Sequence, residues 1–168
     1  FTFTFTFTFT FTFTNPITES ASPMPYSNEP NANDEHPFVF HMVEVKNWRQ
    51  TITTDSIYYP PTYEADGFTH GTANPAKLLS VANHFYTDIV GDWYCLQMTE
   101  QSLADTGVKI IFEPAAAVGN TASTNEAASG ELFPHIYGGI SPAAVINIFP
   151  ISRDAFGGFS RIEGVYPE

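Results

Sequence analysis

The chain has 168 residues, is 43% hydrophobic with 16 Phe and 8 Tyr, and carries a formal net charge of −12. That length suits one domain and that apolar content can fill a core. The acidic excess persists beyond residue 35 and argues against polyanionic partners, so neither nucleic acid nor an anionic membrane surface is expected.

The chain begins at Phe1 rather than Met, which reads as a fragment or a processed form. Residues 1–14 are Phe-Thr dipeptides in strict alternation. They are read either as a strand with one phenyl face, prone to aggregate if exposed, or as a translated nucleotide repeat. A secretory leader is not expected, because no basic segment precedes a continuously apolar one. Asn15 to Pro37 is rich in Pro, Ser, Asn and Glu and reads as a disordered linker. The expected organisation is a low-complexity and disordered tail over 1–35, a domain over 36–160 and a C-terminal tail over 161–168. No run of roughly 18 apolar residues is present to span a bilayer. The single cysteine, Cys95, excludes a disulfide framework and fits a reducing, cytoplasmic setting.

From Phe38 the text changes. Phe38 to Val43 is a buried-strand run interrupted by His41, and Glu44 to Thr54 predicts a short helix with Val45, Trp48 and Ile52 on one side. Ser56 to Asp66, with Pro60-Pro61 and three tyrosines, predicts a loop. Asp66 to Tyr86 organises the rest: a Gly-bounded segment carries His70, then Asn74 offers an N-cap and Pro75 suits the first helical position. Leu78, Val81, Ala82 and Phe85 fall on one apolar stripe. A histidine beside that polar helix N-terminus is an expected place for a small polar ligand. Trp93 to Met98 reads as a central strand, Thr99 to Ala104 as a helical turn and Val108 to Phe112 as a strand. Pro114 to Gly130 reads as a surface loop. Leu132 to Gly139 precedes a final strand at Ala144 to Ile151. Short elements with strands in excess give a compact α+β domain on a bent or split sheet.

His41, His70 and His135 lie on or beside three predicted strands, far apart in sequence. They are read as hydrogen-bonded core residues, as a set converging on one ligand, or as a three-histidine metal site. Against metal, no His-x-His or His-x-x-x-His pair exists and no carboxylate is read as accompanying them, so no metal is expected. His36 and His84 are expected at the surface. Cys95 lies in an apolar run that would keep its thiol protonated. No phosphate loop, dinucleotide fingerprint or nucleophile elbow is present.

The order of motifs resembles a known family. His41 on a strand, Trp48 on a helix, Tyr58-Tyr59 with prolines, Gly67-Phe68-Thr69-His70, Val81-Ala82-Asn83-His84-Phe85-Tyr86 and Phe133-Pro134-His135-Ile136-Tyr137-Gly138 follow in turn. Together they are similar to the domain of unknown function family 952, over roughly His36 to Phe159. The resemblance implies an ADP-ribosyltransferase-like fold without an established activity. It matches His41 to the histidine that holds the nicotinamide-side ribose, and Phe68 to Thr72 to a segment bearing a second histidine, His70. It thereby implies His41, His70 and His135 as catalytic candidates, Thr72, Tyr86 and Tyr137 as ligand-binding candidates, and an NAD-like ligand. Two features depart from the pattern. Met42-Val43 follows His41 where Gly-Thr or x-Thr is usual. The transferase glutamate has no clear counterpart, with Glu113 and His135 in its region.

Three functions follow as expectations. One is a pocket for a small polar or nucleotide-like ligand of the NAD or ADP-ribose type. Another is an ADP-ribosyltransferase-like enzyme acting on NAD. The third is a structural or interaction domain whose histidines are core residues. Oligomeric state is left open by the sequence.

Overall fold

In chain order the elements are β1 (Val39–Glu44), α1 (Val45–Thr53), α2 (Tyr63–Asp66), β2 (Thr69–His70), α3 (Leu78–Phe85), β3 (Trp93–Met98), α4 (Glu100–Ala104), β4 (Lys109–Pro114), β5 (Leu132–Tyr137), β6 (Asn147–Arg153) and β7 (Phe159–Ile162). They come from a computed structural model that describes residues 36–123 and 130–165. The readings of residues 1–35, of part of the 114–130 loop and of the last three residues lie outside the described residues. Among the described residues no helix is long and apolar enough to cross a membrane.

All strand pairings are antiparallel and fall into two sheets, ordered β1-β3-β6-β7 and β2-β5-β4. This is an α+β fold with short helices. The sheets meet where β1 runs beside the residues after β2. There Phe40 and Thr72 exchange two backbone hydrogen bonds of 2.8 and 2.9 Å. β1 is thereby flanked on both edges, by β3 and by this bridge, and all six of its residues are buried. Its period-2 alternation sends Val39 and Val43 into one apolar cluster with Trp48, Tyr58, Leu96 and Ile136. Phe40 and Met42 enter a second cluster with Leu78, Trp93, Cys95 and Phe159. His41 falls between Val39 and Val43 in this pattern, at the seam of the two sheets.

Helix α1 turns a different face inward from the one its sequence suggests. Val45, Trp48 and Thr51 are buried, whereas Ile52 is 51% exposed. Thr51 tolerates burial because its hydroxyl donates to the Asn47 carbonyl. Asn74 does cap: its side chain accepts from the Ala76 N–H, and a 3-10 turn at Pro75–Lys77 leads into α3. The apolar stripe of α3 is divided, with Leu78 and Ala82 fully buried and Val81 and Phe85 half-buried. α4 is held by a reciprocal Thr99–Ser102 capping box.

The C-terminal reading needs two corrections. The last predicted strand begins at Asn147, because Pro142–Ala144 forms a 3-10 turn capped by Ser141. A further strand, β7, follows it, and Ile162 is 1% exposed, so the packed core passes the expected boundary at 160. Phe-Ser-Arg-Ile is too short to carry a period and follows two glycines, which hid it in the sequence.

Candidate functional site

β2 places His70 directly opposite His135 of β5. Cross-strand partners share a face, and their ring centroids lie 5.7 Å apart. Phe68 covers both, stacked on His135 at 4.0 Å and tilted on His70 at 4.6 Å. The link to β1 is a hydrogen bond of 2.7 Å from His41 Nδ1 to the His70 carbonyl. His41, His70 and His135 consequently line one pocket, together with Thr72 and Tyr86. Phe40, Phe85 and Phe133 supply much of its apolar wall, and Ala115, Ala116 and Val118 border it from the loop after β4. The pocket encloses about 490 Å³ of empty space, its open mouth included.

Each imidazole is fixed through one nitrogen. A carbonyl oxygen only accepts, so His41 Nδ1 carries the proton. Burial drives the His41 pKa down to about 4 against the help of its backbone hydrogen bond, leaving a neutral ring whose lone pair is on Nε2. His135 Nδ1 donates to Glu113 Oε2 at 2.9 Å. Burial lowers the His135 pKa, with Glu113 opposing, while hydrogen bonds from Tyr137 and then His135 hold Glu113 below the usual carboxylate range. His135 is therefore also neutral, with its lone pair on Nε2. His41 is 4% and His135 3% exposed, and in both rings Nε2 is buried without a partner among the described residues. Both rings belong to residues that line the pocket, and each offers a buried acceptor held by the opposite ring nitrogen, which suits hydroxyl or N–H donors.

His70 is held the other way round. Its Nε2 donates to Asp66 Oδ2 at 3.0 Å, and burial lowers its pKa against the pull of that carboxylate. Asp66 is the last residue of α2, and Gly67 follows it in the left-handed conformation, φ 79°, with its N–H on the Tyr63 carbonyl. That reversal folds the carboxylate back onto His70. The Asp66 side chain is only 7% exposed, and it also accepts from the Gly119 N–H at 3.0 Å. One carboxylate thus orients His70 and ties down the loop that borders the pocket.

Tyr86 forms a rigid wall. It stacks on Trp93 at 4.8 Å, and Arg153, lying over the Phe159 ring, donates to the carbonyls of Tyr86, Thr87 and Ile89. Burial, aided by Asp66, pushes the Tyr86 hydroxyl up to about 12, so it stays protonated.

The remaining candidates fall elsewhere. Tyr137 is not part of the pocket lining; it is 40% exposed on β5 and reaches the site through its 2.7 Å bond to Glu113. Successive β5 residues face opposite ways, so Tyr137 shares the His135 face but lies one step further along it. The helix N-terminus at Asn74 is not part of the lining either. The pocket meets α3 at Val81, Phe85 and the following Tyr86, near the helix C-terminus. Cys95 is fully buried with its thiol pushed up to about 12. His84 is exposed and donates to the Ala122 carbonyl, whereas His36 is only half-buried rather than fully at the surface.

Sequence reasoning missed Asp66 and Phe68 as parts of the site, and it read no carboxylate as accompanying the histidines. Asp66 lies four residues before His70, and the signal that joins them is Gly67, which marks the reversal. Among the described residues, no three His, Cys, Asp or Glu side chains are arranged to hold a metal ion.

Two comparisons place this fold among known proteins. The chain is similar to the crystal structure of protein CC0527 from Caulobacter crescentus, at 16% identity and a TM-score of 0.56, over 73% of this chain and 93% of that one. The solution structure of the same bacterial protein superposes with a TM-score of 0.51 at 16% identity, over 73% and 90% of the two chains. At these identities the likeness establishes the fold alone. No curated protein matches the chain. The family described as "Protein of unknown function (DUF952)" matches residues 42–148, a stretch that holds His70, His135, Thr72 and Tyr86 and begins one residue after His41. With well over half of its length matched, the chain belongs to the DUF952 family.

Proposed function

We propose that the pocket binds a small polar, nucleotide-like ligand of the NAD or ADP-ribose type, with His41 and His135 accepting hydrogen bonds from its hydroxyls. The observation that carries this reading is the pair of buried, unpartnered Nε2 atoms in two histidines that line one aromatic-walled pocket. Buried polar atoms are normally satisfied, and an unmade hydrogen bond costs about 1–3 kcal/mol. A ligand offering two donors beside a flat ring meets both the acceptors and the apolar wall. The cleft between two antiparallel sheets supports the ADP-ribosyltransferase-like architecture that the sequence resemblance implies.

A second reading is cleavage of the bond between ring and ribose, and one observation favours it. Asp66 holds His70 by Nε2, which leaves the Nδ1 lone pair to take a proton from a water that bonds to the ribose carbon as neutral nicotinamide leaves with the electrons of the broken bond. Glu113 is a poorer candidate for that role, because it lies outside the lining and is engaged by His135 and Tyr137.

The test is a thermal-shift screen with NAD, ADP-ribose and their ribosides, run on the natural chain and on His135→Phe, with nicotinamide release followed by chromatography. A ligand at a hundred times its Kd adds roughly 2.7 kcal/mol, several degrees of Tm. The expected result is a shift that His135→Phe reduces, with affinity lost about ten- to a hundred-fold. No shift with any of these compounds would refute the reading, and released nicotinamide would select the second.

A further inference from the structure

The chain has six Lys and Arg residues in all, and every one of them lies among the described residues. None lines the histidine pocket, nor the neighbouring cavity that shares His41, Met42, Tyr86 and Val118 with it. Arg153 is engaged with backbone carbonyls and the Phe159 ring. Lys77 and Lys46 pair with Glu131 and Glu44.

The charged groups that hold the pocket's histidines are carboxylates. Asp66 lies behind His70, and Glu113 behind His135. Glu44 lines the neighbouring cavity, its carboxylate held by Asn47 and Lys46. Val81, Phe85 and Tyr86 bring the C-terminal end of α3 to the pocket, the end opposite to the one that binds anions, and the Arg153 guanidinium there is taken up by the carbonyls of Tyr86, Thr87 and Ile89. The buried free nitrogens of His41 and His135 are acceptors, so they too offer an anion nothing.

We infer that the pocket seats an uncharged or cationic ring-and-ribose unit, a nucleoside, and provides no phosphate site. The inference rests on the ligand-binding reading above and narrows it. Two acceptor nitrogens match hydroxyl donors of a sugar, and the aromatic wall of Phe40, Phe85 and Phe133 matches a flat ring. A phosphate in the pocket would face the lone pairs of His41 and His135, with the carboxylates of Asp66 and Glu113 behind the histidine wall, and no guanidinium, ammonium or helix N-terminus lines the site to neutralise it. Any phosphate on the natural ligand leaves through the mouth into solvent.

The experiment compares matched pairs on the full chain by titration calorimetry: adenosine against AMP, and nicotinamide riboside against its 5′-monophosphate. His135→Phe serves as the site control. The expected result is that at least one riboside binds, that its monophosphate binds about tenfold more weakly, and that His135→Phe weakens the riboside. A monophosphate that binds as tightly as its riboside, or tighter, and is weakened by His135→Phe overturns the inference while leaving the pocket reading standing. If no compound binds, or if binding is indifferent to His135→Phe, both fall.

Discussion

Replacing Asp66 by alanine is expected to lower the Tm by roughly 6–15 °C, corresponding to about 2–4 kcal/mol. The carboxylate is almost wholly enclosed and makes two kinds of bond, to His70 Nε2 and to the Gly119 N–H. Removing it strands two donors, one in the pocket wall and one in the bordering loop, and unpaired buried donors are costly where lost surface pairs are not. Asp66→Asn should fall between, since one amide oxygen can satisfy His70 or Gly119 but its amino group opposes a second donor. A further consequence follows for His70. Without the carboxylate that raises it, burial and the neighbouring His135 both act to lower it, and its pKa should fall further. Thermal melts of the three proteins, with His70 titrated by NMR, check both parts.

The second large effect is on stability against acid. His41 titrates near 6.5 when unfolded and near 4 when folded, so its folded-state pKa is depressed. The folded state then binds fewer protons between those values, and stability must fall as pH falls through that window. The full contribution is present above about pH 6.5 and is lost on the way down to about 4, and a separation of that size amounts to about 3 kcal/mol. His70 and His135 are lowered by burial as well and act with the same sign. Protonating surface carboxylates relieves the self-repulsion of an acidic chain and acts the other way. His41→Asn separates the two. An asparagine can still donate to the His70 carbonyl but does not titrate, so its acid slope should be visibly shallower while its stability at neutral pH is lower. Urea midpoints of both proteins across this range are the measurement; parallel slopes would mean that His41 ionises as freely folded as unfolded.

What the sequence carried to the structure was mostly local. The strand around His41, the capped start at Asn74 and the central strand at Trp93 all rest on patterns that a few neighbouring residues fix. Thr51 replaced Ile52 on the buried face of α1 because a side-chain-to-backbone bond made a hydroxyl cheap to bury, a cost that apolar periodicity does not see. β7 escaped because four residues cannot display a period. The gathering of His41, His70 and His135 was open in the sequence among three readings. Their side-by-side placement depends on the His70–His135 register and on the Phe40–Thr72 bridge, which are long-range pairings. Asp66 stayed hidden because its link to His70 runs through a left-handed glycine rather than through helical spacing. Of the ligand-binding candidates, Thr72 and Tyr86 line the pocket, and Tyr137 lies beside it on β5.

Two neutral imidazoles that present lone pairs to a ligand are the core of the proposed site. Nitrogen-15 spectra of the histidine rings, recorded at neutral pH with and without nicotinamide riboside, test this most directly. His41 and His135 should both show the Nδ1–H tautomer, and both Nε2 signals should move toward a hydrogen-bonded position when the riboside is added. Nε2 signals that carry the proton, or that stay in place in both rings when ligand is present at millimolar concentration, would contradict it.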